Sequence, residues 1–168
     1  MKYRLTMETP LGRLTVVAGE TAVEELRLPG DMPEETITEC RTELLCRAEK
    51  ELQEYFCGIR KDFDLPLAPA GTAFQQRVWQ ELCRIPCGEV VSYGEIARRI
   101  GQPKASRAVG QANHRNPIPI LIPCHRVIAA HGGLGGYGGG PDIKILLLQL
   151  EGITMEVLPG TQTIKIHS

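Results

Sequence analysis

Apolar and polar residues alternate along the first thirty residues of the chain, which is the pattern of half-buried β-strands. Tyr3, Leu5 and Met7 alternate with charged or hydroxyl-bearing residues, and similar stretches follow at 13–18 and 23–28. A strand that buries one face and exposes the other repeats every two residues. The sequence therefore predicts three strands before residue 29.

A helical period replaces this alternation after residue 33. Apolar residues recur at spacings of three and four from residue 34 to 56, which predicts one long amphipathic helix. The positions that carry the period are Ile37, Cys40, Leu44, Ala48, Leu52 and Tyr55. Residues 62–71 are rich in Pro and Gly and predict a linker. We therefore predict an N-terminal α+β subdomain over residues 1–68.

The region 72–168 is predicted to be a mostly helical second domain. Thr72 and Gln75 form a capping-box pattern that predicts a helix to residue 84. Ser92 and Glu95 repeat the box and predict a short helix to about residue 100.

A helix-turn-helix is a candidate motif here, because Gly101 and Pro103 end the short helix and a further helix is predicted over 104–113. Any helical hairpin would show the same spacing. This last helix is rich in small residues, namely Ala105, Ser106, Ala108, Gly110 and Ala112. Such a surface can approach a narrow DNA groove while Arg107 reaches in, or it can pack against a neighbouring helix.

The near-zero net charge of −1 hides an uneven distribution. Residues 1–75 carry 9 Lys/Arg and 14 Asp/Glu, whereas residues 76–126 carry 8 and 3. A basic middle region suggests a polyanionic partner, although chance clustering of solvated charge would look alike.

Several classes of protein are excluded by the composition. No apolar run approaches the roughly 20 residues of a membrane span, and the first residues lack the apolar core of a signal peptide. Six cysteines stand at irregular spacings without a C-x-x-C pair, so neither a disulfide framework nor a metal site is predicted. We expect a soluble, cytoplasmic protein without metal or cofactor.

The candidate nucleophile is Cys124. Pro117, Pro119 and Pro123 favour a rigid, extended backbone that ends at this cysteine. His125 follows directly, but adjacent side chains on an extended segment point in opposite directions, so contact needs a kink or a bridging water. From the residues alone, a buried cysteine beside an ordinary histidine fits equally well.

The glycine-rich stretch at 131–140 contains a literal G-x-G-x-x-G at 133–138. A dinucleotide-binding fingerprint should open a βαβ unit and have an acidic residue about 20 positions later. Only 30 residues follow residue 138 and no strand–helix alternation precedes it, so this interpretation is disfavoured.

The stretch Pro123-Cys124-His125-Arg126-Val127 strongly resembles the active-site motif of O6-alkylguanine-DNA alkyltransferases, also called methylated-DNA–protein-cysteine methyltransferases. The resemblance extends in order over about 72–152. It includes Phe74-Gln75-Gln76-Arg77-Val78-Trp79, Ile85-Pro86-Cys87-Gly88, Val91-Ser92-Tyr93, Ala105-Ser106-Arg107-Ala108-Val109-Gly110, Asn116-Pro117, Gly136-Tyr137 and Lys144 to Glu151. The first 68 residues match only in their strand–helix plan, which in this family is ribonuclease H-like.

The resemblance implies that the protein repairs duplex DNA in a single turnover. The alkyl group of O6-alkylguanine, or less well of O4-alkylthymine, would pass to Cys124 and form a stable thioether. The damaged base would first be flipped out of the stack. His125 would deprotonate Cys124 through a water, Glu151 would orient His125, and Asn116 would bond to the active-site segment.

The resemblance also assigns binding residues. Tyr93 would crowd the target phosphate and donate to the base, while Arg107 would fill the space that the base vacates. The base pocket would include Val127, Tyr137, Gly138, Pro119 and Gly139. DNA would contact Gln102, Gly94, Ala105, Ser106, Arg107, Ala108 and Gly110.

Two departures from the family pattern, at Gly138 and Pro141, and two pocket residues, Pro119 and Gly139, sharpen these expectations. Gly138 stands where a hydroxyl-bearing residue is common, so a hydrogen bond to O6 would come from the backbone. Pro119 and Gly139 suggest an open pocket that accepts alkyl groups larger than methyl. Pro141 opens the last helix, where proline is tolerated in the first turn. We expect a monomer.

Three alternative functions stay open at this level. A non-catalytic alkylated-DNA-binding relative would lack the reactive cysteine and usually carry tryptophan there. A helix-turn-helix regulator would need a dimerisation or effector segment, which the sequence does not suggest. A cysteine hydrolase would turn over repeatedly and would need an oxyanion hole.

Overall fold

The computed structural model describes residues 1–31, 36–135, 137, 139–161 and 163–167. The chain divides into two units. The first comprises Met1–Ala70 with Pro117–Pro119, and the second Gly71–Asn116 with Ile120–Ser168. The short proline segment joins the first unit, where the backbone N–H of Leu26 donates to the Pro117 carbonyl at 2.9 Å.

The first unit is built on a four-stranded sheet with the order β3-β2-β1-β4. Strands β1 (Tyr3–Thr9), β2 (Gly12–Ala18) and β3 (Val23–Arg27) are antiparallel, as the alternation predicts. Register pairs Leu5 with Val16 and Met7 with Leu14, so their apolar side chains share one buried face.

The helix predicted over 34–56 is wrong at its beginning. Helix α1 covers Glu43–Phe56, and Thr42 caps it by accepting the Leu45 N–H at 3.2 Å. Residues just before it form the two-residue strand β4 (Thr38–Glu39), which pairs in parallel with β1. Tertiary pairing therefore overrides the local period, and the prediction for residues 34 and 35 falls outside the described residues.

The predicted linker is partly tied to the first unit. The Val23 N–H donates to Pro66 and the Ala68 N–H donates back to Val23, both at 2.8 Å. The Asp64 N–H donates to the carboxylate of the buried Glu51 at 2.8 Å. This stretch therefore runs along the start of β3.

Three helices form the core of the second unit, as predicted. They are α2 (Ala73–Leu82), α3 (Tyr93–Arg99) and α4 (Ser106–His114). The capping box at Thr72 is complete, and the Ser92 hydroxyl accepts the Glu95 N–H at 3.1 Å. Helix α4 packs on both α2 and α3, and the Trp79 indole donates to the Ala112 carbonyl at 2.8 Å.

The rest of the second unit includes the turn that carries Cys124 and the elements that follow it. Two-residue strands β5 (Val91–Ser92) and β6 (Val127–Ile128) pair in parallel, and a 3-10 turn (Cys124–Arg126) directly precedes β6. Helix α5 (Pro141–Leu150) has its proline in the first turn, as expected. A hairpin of β7 (Thr154–Val157) and β8 (Ile164–His167) follows. Within the described ranges, no helix is both long enough and apolar enough to span a bilayer.

Candidate active site

Cys124 lies at the start of the 3-10 turn. The prediction of an extended backbone before it is wrong in part, because the chain turns at residues 120 and 121 and Ile120 has a φ of +74°. The Cys124 side chain is buried, and the residue is only 3% exposed. The backbone around it is held from α4, because the Asn113 amide donates to the Cys124 carbonyl at 3.2 Å. The Asn116 amide donates to the Ile122 carbonyl at 2.8 Å. Both bonds fix the segment that carries the thiol.

Burial raises the pKa of the Cys124 thiol to about 11. A hydrogen bond with the Asn116 side chain and the nearby charge of Lys144 act in the opposite direction. At pH 7.5 only roughly one thiol in three thousand would be ionised at such a pKa. Because the thiolate is the nucleophilic form, this site needs a base at the moment of reaction.

His125 and Glu151 are joined by a hydrogen bond of 2.6 Å between Nε2 and Oε2, and both side chains are fully buried. Glu151 is the C-terminal cap residue of α5. Arg126 holds the same carboxylate through Nε at 2.8 Å and Nη2 at 2.9 Å, and its Nη1 donates to the Ile85 carbonyl at 2.6 Å. The carboxylate is therefore fixed from two sides.

This arrangement determines the state of the imidazole. Burial lowers the pKa of His125, although the Glu151 carboxylate pulls it upward. The ring is therefore neutral near pH 7, and the carboxylate selects the tautomer with the proton on Nε2. Nδ1 has no hydrogen-bond partner within the described part of the chain and keeps its lone pair. His125 can thus accept a proton at Nδ1.

Lys144 is a buried cation that the sequence reasoning did not single out as functional. Its Nζ donates to the carbonyls of Val127 at 2.6 Å and Leu134 at 2.5 Å. Burial lowers its pKa to about 8, so the ammonium form still predominates at neutral pH. Its positive charge lowers the pKa of the Cys124 thiol.

The predicted pocket residues are distributed around this centre. Tyr93 is the first residue of α3, and its hydroxyl lies so close to Gly135 that a Cβ there would collide with it. Burial, with a smaller effect from the charge of Cys124, raises the pKa of Tyr93. Tyr137 is 7% exposed, and its hydroxyl has no partner among the residues that are described.

The other predicted pocket residues differ in what can be stated. Val127 is buried in β6, and Gly139 is half-buried. Gly138 lies outside the described residues. Pro119 is buried but belongs to the first unit.

The predicted DNA-contacting residues lie on and around α3 and α4. Arg107, Ala108 and Gln102 are exposed. Four further residues are half-buried, namely Gly94, Ala105, Ser106 and Gly110. A Cβ at Gly94 would lie 3.7 Å from the Ser106 hydroxyl, and one at Gly110 would lie 3.9 Å from the Tyr93 ring. These small residues therefore bring α4 close to the helix that carries Tyr93.

Two family models match the chain. Residues 73–153 match the DNA binding domain of 6-O-methylguanine DNA methyltransferase, and residues 1–69 match its ribonuclease-like domain. The chain belongs to this methyltransferase family. The α+β fold class with a helix-turn-helix domain is thereby confirmed, as is the resemblance given by the motif around Cys124.

Relatives of known name agree with this family assignment. The constitutive methylated-DNA–protein-cysteine methyltransferase of Bacillus subtilis is 50% identical over 161 residues, which cover 92% of this chain and 98% of the relative. The crystal structure of the Mycobacterium tuberculosis O6-methylguanine methyltransferase superposes with a TM-score of 0.83 at 45% identity, covering 90% and 93% of the two chains. The M. tuberculosis OGT in complex with DNA gives 0.82 at 47% identity, covering 89% and 92%.

Sequence reasoning missed three side chains that form buried hydrogen bonds in the candidate active site, namely Lys144, Arg126 and Asn113. Lys144 shares the inner face of α5 with Leu147 and Leu148, at helical spacings of three and four, so a charge on an apolar face was the available signal. Arg126 and Asn113 gave no such signal, because arginine and asparagine are usually solvated.

Proposed function

We propose that this chain is a methylated-DNA–protein-cysteine methyltransferase that moves the alkyl group of O6-alkylguanine in duplex DNA onto Cys124. The observation that carries the proposal is a buried thiol followed in the chain by a neutral histidine, whose tautomer is set by a Glu151 carboxylate that Arg126 holds in place. That arrangement supplies a nucleophile, a base and an orienting group, as covalent catalysis by cysteine requires.

The reaction begins when the thiol proton of Cys124 passes through one water to Nδ1 of His125. The sulfur then attacks the alkyl carbon, a C–S bond forms, and the bond between that carbon and O6 breaks. Electrons of the broken bond stay on the guanine, which Tyr93 stabilises by hydrogen-bond donation. Because a thioether is a very poor leaving group, water does not release the alkyl group and each chain acts once.

Lys144 and Asn116 stabilise the thiolate in this mechanism. The charge of Lys144 and the hydrogen bond with Asn116 both lower the pKa of Cys124 against the effect of burial. Neither residue needs to touch the base. We regard Asn116 as a group that acts on the thiol, and Lys144 as one that acts through charge and through the carbonyls it binds.

The damaged base must leave the stack to reach a buried thiol. Extrusion of a base costs a few kcal/mol and is cheapest for a damaged or mispaired base. We propose that α4 enters the minor groove with its small residues and that Arg107, exposed on this helix, occupies the vacated position. Gln102, Gly94 and Ser106 would contact the adjacent backbone. Because the chemistry needs a free thiol and a DNA substrate, we place the protein in the cytoplasm.

Intact-protein mass spectrometry tests the function directly. Wild-type protein is incubated with duplex DNA that carries one O6-methylguanine, and Cys124→Ala serves as the inactive variant. We expect one added methyl group per chain, mapped to Cys124 and absent from Cys124→Ala. A Cys57→Ala control should behave like wild type, because Cys57 is an exposed residue at the end of α1 in the first unit.

Two other results would overturn the proposal. An unchanged mass with tight binding to the lesion would identify a recognition protein instead. Methanol released by protein of unchanged mass would indicate a hydrolase.

A further inference from the structure

The C-terminal hairpin is joined to a loop of the site by backbone hydrogen bonds. Ile164, the first residue of β8, donates its N–H to the Gly132 carbonyl at 2.9 Å. Gly133 and Thr163 form an isolated antiparallel bridge beside it. Gly132 has a φ of +88°, and a Cβ there would collide with the Ile164 carbonyl. Residues 129–135, which we call the wall loop, thus run alongside the hairpin at close range.

Side-chain packing reinforces this backbone contact. Ile164 is 4% exposed and belongs to one apolar cluster with Leu134 of the wall loop. Leu148 and Ile153 complete the buried part of the cluster. The hairpin therefore packs a buried aliphatic side chain in the same cluster as Leu134 of the wall loop.

The same loop also contacts two residues of the candidate site. The Leu134 carbonyl accepts a hydrogen bond from Lys144 Nζ at 2.5 Å, and Gly135 lies against the Tyr93 hydroxyl. Tyr137 follows two residues later and is buried. A displacement of the hairpin would therefore move the loop residues that contact Lys144 and Tyr93.

The hairpin lies outside the part of the chain that the DNA-binding family model matches, which ends at residue 153. Strands β7 and β8 cover Thr154–Val157 and Ile164–His167. The contact therefore joins residues inside the matched range, at 132 and 133, to residues that follow it.

We propose that the C-terminal hairpin, through Ile164, holds the wall loop against the base pocket and so limits the size of the alkyl group that Cys124 accepts. This inference rests on the proposed function. Ile164 is a positioning residue, because its side chain supports the loop and does not touch the reacting atoms. A looser loop leaves more room for a large alkyl group but positions a methylated base less well.

The test compares single-turnover rates of alkyl transfer from duplexes that carry O6-methylguanine or O6-benzylguanine. In Ile164→Ala we expect the benzyl-to-methyl rate ratio to rise by about fivefold or more. This is less than the roughly tenfold effect of one methylene that contacts the substrate, because Ile164 acts only through the loop. Ile166→Ala is the matched control, since Ile166 is on the same strand, is 37% exposed and lies outside the cluster. Its ratio should equal that of wild type.

Ile164→Val provides a milder variant that keeps the protein folded if Ile164→Ala does not. It should raise the ratio in the same direction by a smaller factor. A general loss of folding would slow both substrates together, so the ratio separates specificity from stability. A ratio within twofold of wild type in every folded Ile164 variant overturns the inference. Failure of wild type to accept the methyl group from the O6-methylguanine duplex would instead contradict the proposed function.

Discussion

Each unit of the molecule contains a buried glutamate bound by arginine, but the two glutamates have different surroundings. Glu51 of α1 pairs with Arg47 and Arg60, whose side chains are 47% and 29% exposed. Glu151 of α5 pairs with Arg126 and His125, whose side chains are 6% and 0% exposed. One carboxylate faces partners that water also solvates, and the other faces partners that water does not reach.

This difference separates a structural role from a chemical one. The Glu51 pairs are screened by solvent, so each contributes little, and the bond from the Asp64 N–H is the more specific contact. The Glu151 pairs act in a low-dielectric interior, where a fixed charge controls the proton position on a neighbouring ring.

Replacing the base should have the largest effect. His125→Ala should slow single-turnover methyl transfer at pH 7.5 by about a thousandfold, within the range known for general bases. Because the thiol pKa is about 11, its residual rate should rise tenfold per pH unit from pH 7 to 10. The wild-type rate should not rise there, because neutral His125 already takes the thiol proton, and it should fall by up to about tenfold above pH 8 as Lys144 loses its charge. Quench-flow rates across this pH range check the prediction.

His167→Ala is the control for the histidine substitution. His167 is 45% exposed at the end of β8, so this variant should match wild type at every pH. A His125→Ala rate at pH 7.5 that equals the wild-type rate would show that another group takes the proton.

The two glutamates can be compared by the same isosteric change. Glu151→Gln should slow transfer by about a hundredfold, because the tautomer of His125 is no longer imposed by a charge. Glu51→Gln should change the rate by less than about twofold, since Glu51 orders only the end of the first unit. Single-turnover transfer rates of the two variants, measured in parallel at pH 7.5, test this prediction. Equal losses in both variants would abolish the contrast between them.

The buried cation should matter less than the base. Lys144→Met should slow transfer by about tenfold at pH 7, because the charge that favours the Cys124 thiolate is lost. In wild type, the pKa of Lys144 is about 8, so its ammonium form is present below pH 8 and is lost above it. The ratio of the wild-type transfer rate to the Lys144→Met transfer rate should therefore become smaller from pH 7 to 9.5. Lys165→Met, an exposed change in β8, should transfer at the wild-type rate, and a constant ratio for Lys144→Met would refute the charge effect.

The smallest expected effect is on stability in the first unit. Glu51→Gln should lower the free energy of unfolding by about 1 kcal/mol, since glutamine still accepts the Asp64 N–H but loses its ion pairs. Glu49→Gln, whose partner Arg41 is 62% exposed, should change it by less than about 0.5 kcal/mol. Urea titrations of both variants measure the difference. A larger loss of unfolding free energy in Glu49→Gln than in Glu51→Gln would mean that the burial of Glu51 does not strengthen its contribution to stability.

Local signals in the sequence were enough for the helices around the site. The boxes at Thr72 and Ser92 are satisfied by residues three positions later, so α2 and α3 begin where the sequence predicts. The beginning of α1 could not be predicted in this way. Pairing of Thr38 with Tyr3 depends on a strand 35 residues earlier, and the local helical period does not contain that information.

The centre of the site shows the same limit. The resemblance identified Cys124, His125 and Glu151, but only the structure shows that Arg126 holds the carboxylate and that Lys144 lies buried nearby. Arginine and lysine are solvated at most positions, so their burial is a property of the packed fold. The pKa of the thiol follows from that burial and could not be deduced from the residues alone.

The single-turnover rate of the double variant His125→Ala/Glu151→Gln tests the central claim most directly. If Glu151 acts through His125, removing Glu151 has no further effect once the histidine is gone. The rate at pH 7.5 should then equal that of His125→Ala within about threefold. A double variant slower by the product of the two single losses would contradict the account, because the two residues would then act on the thiol independently.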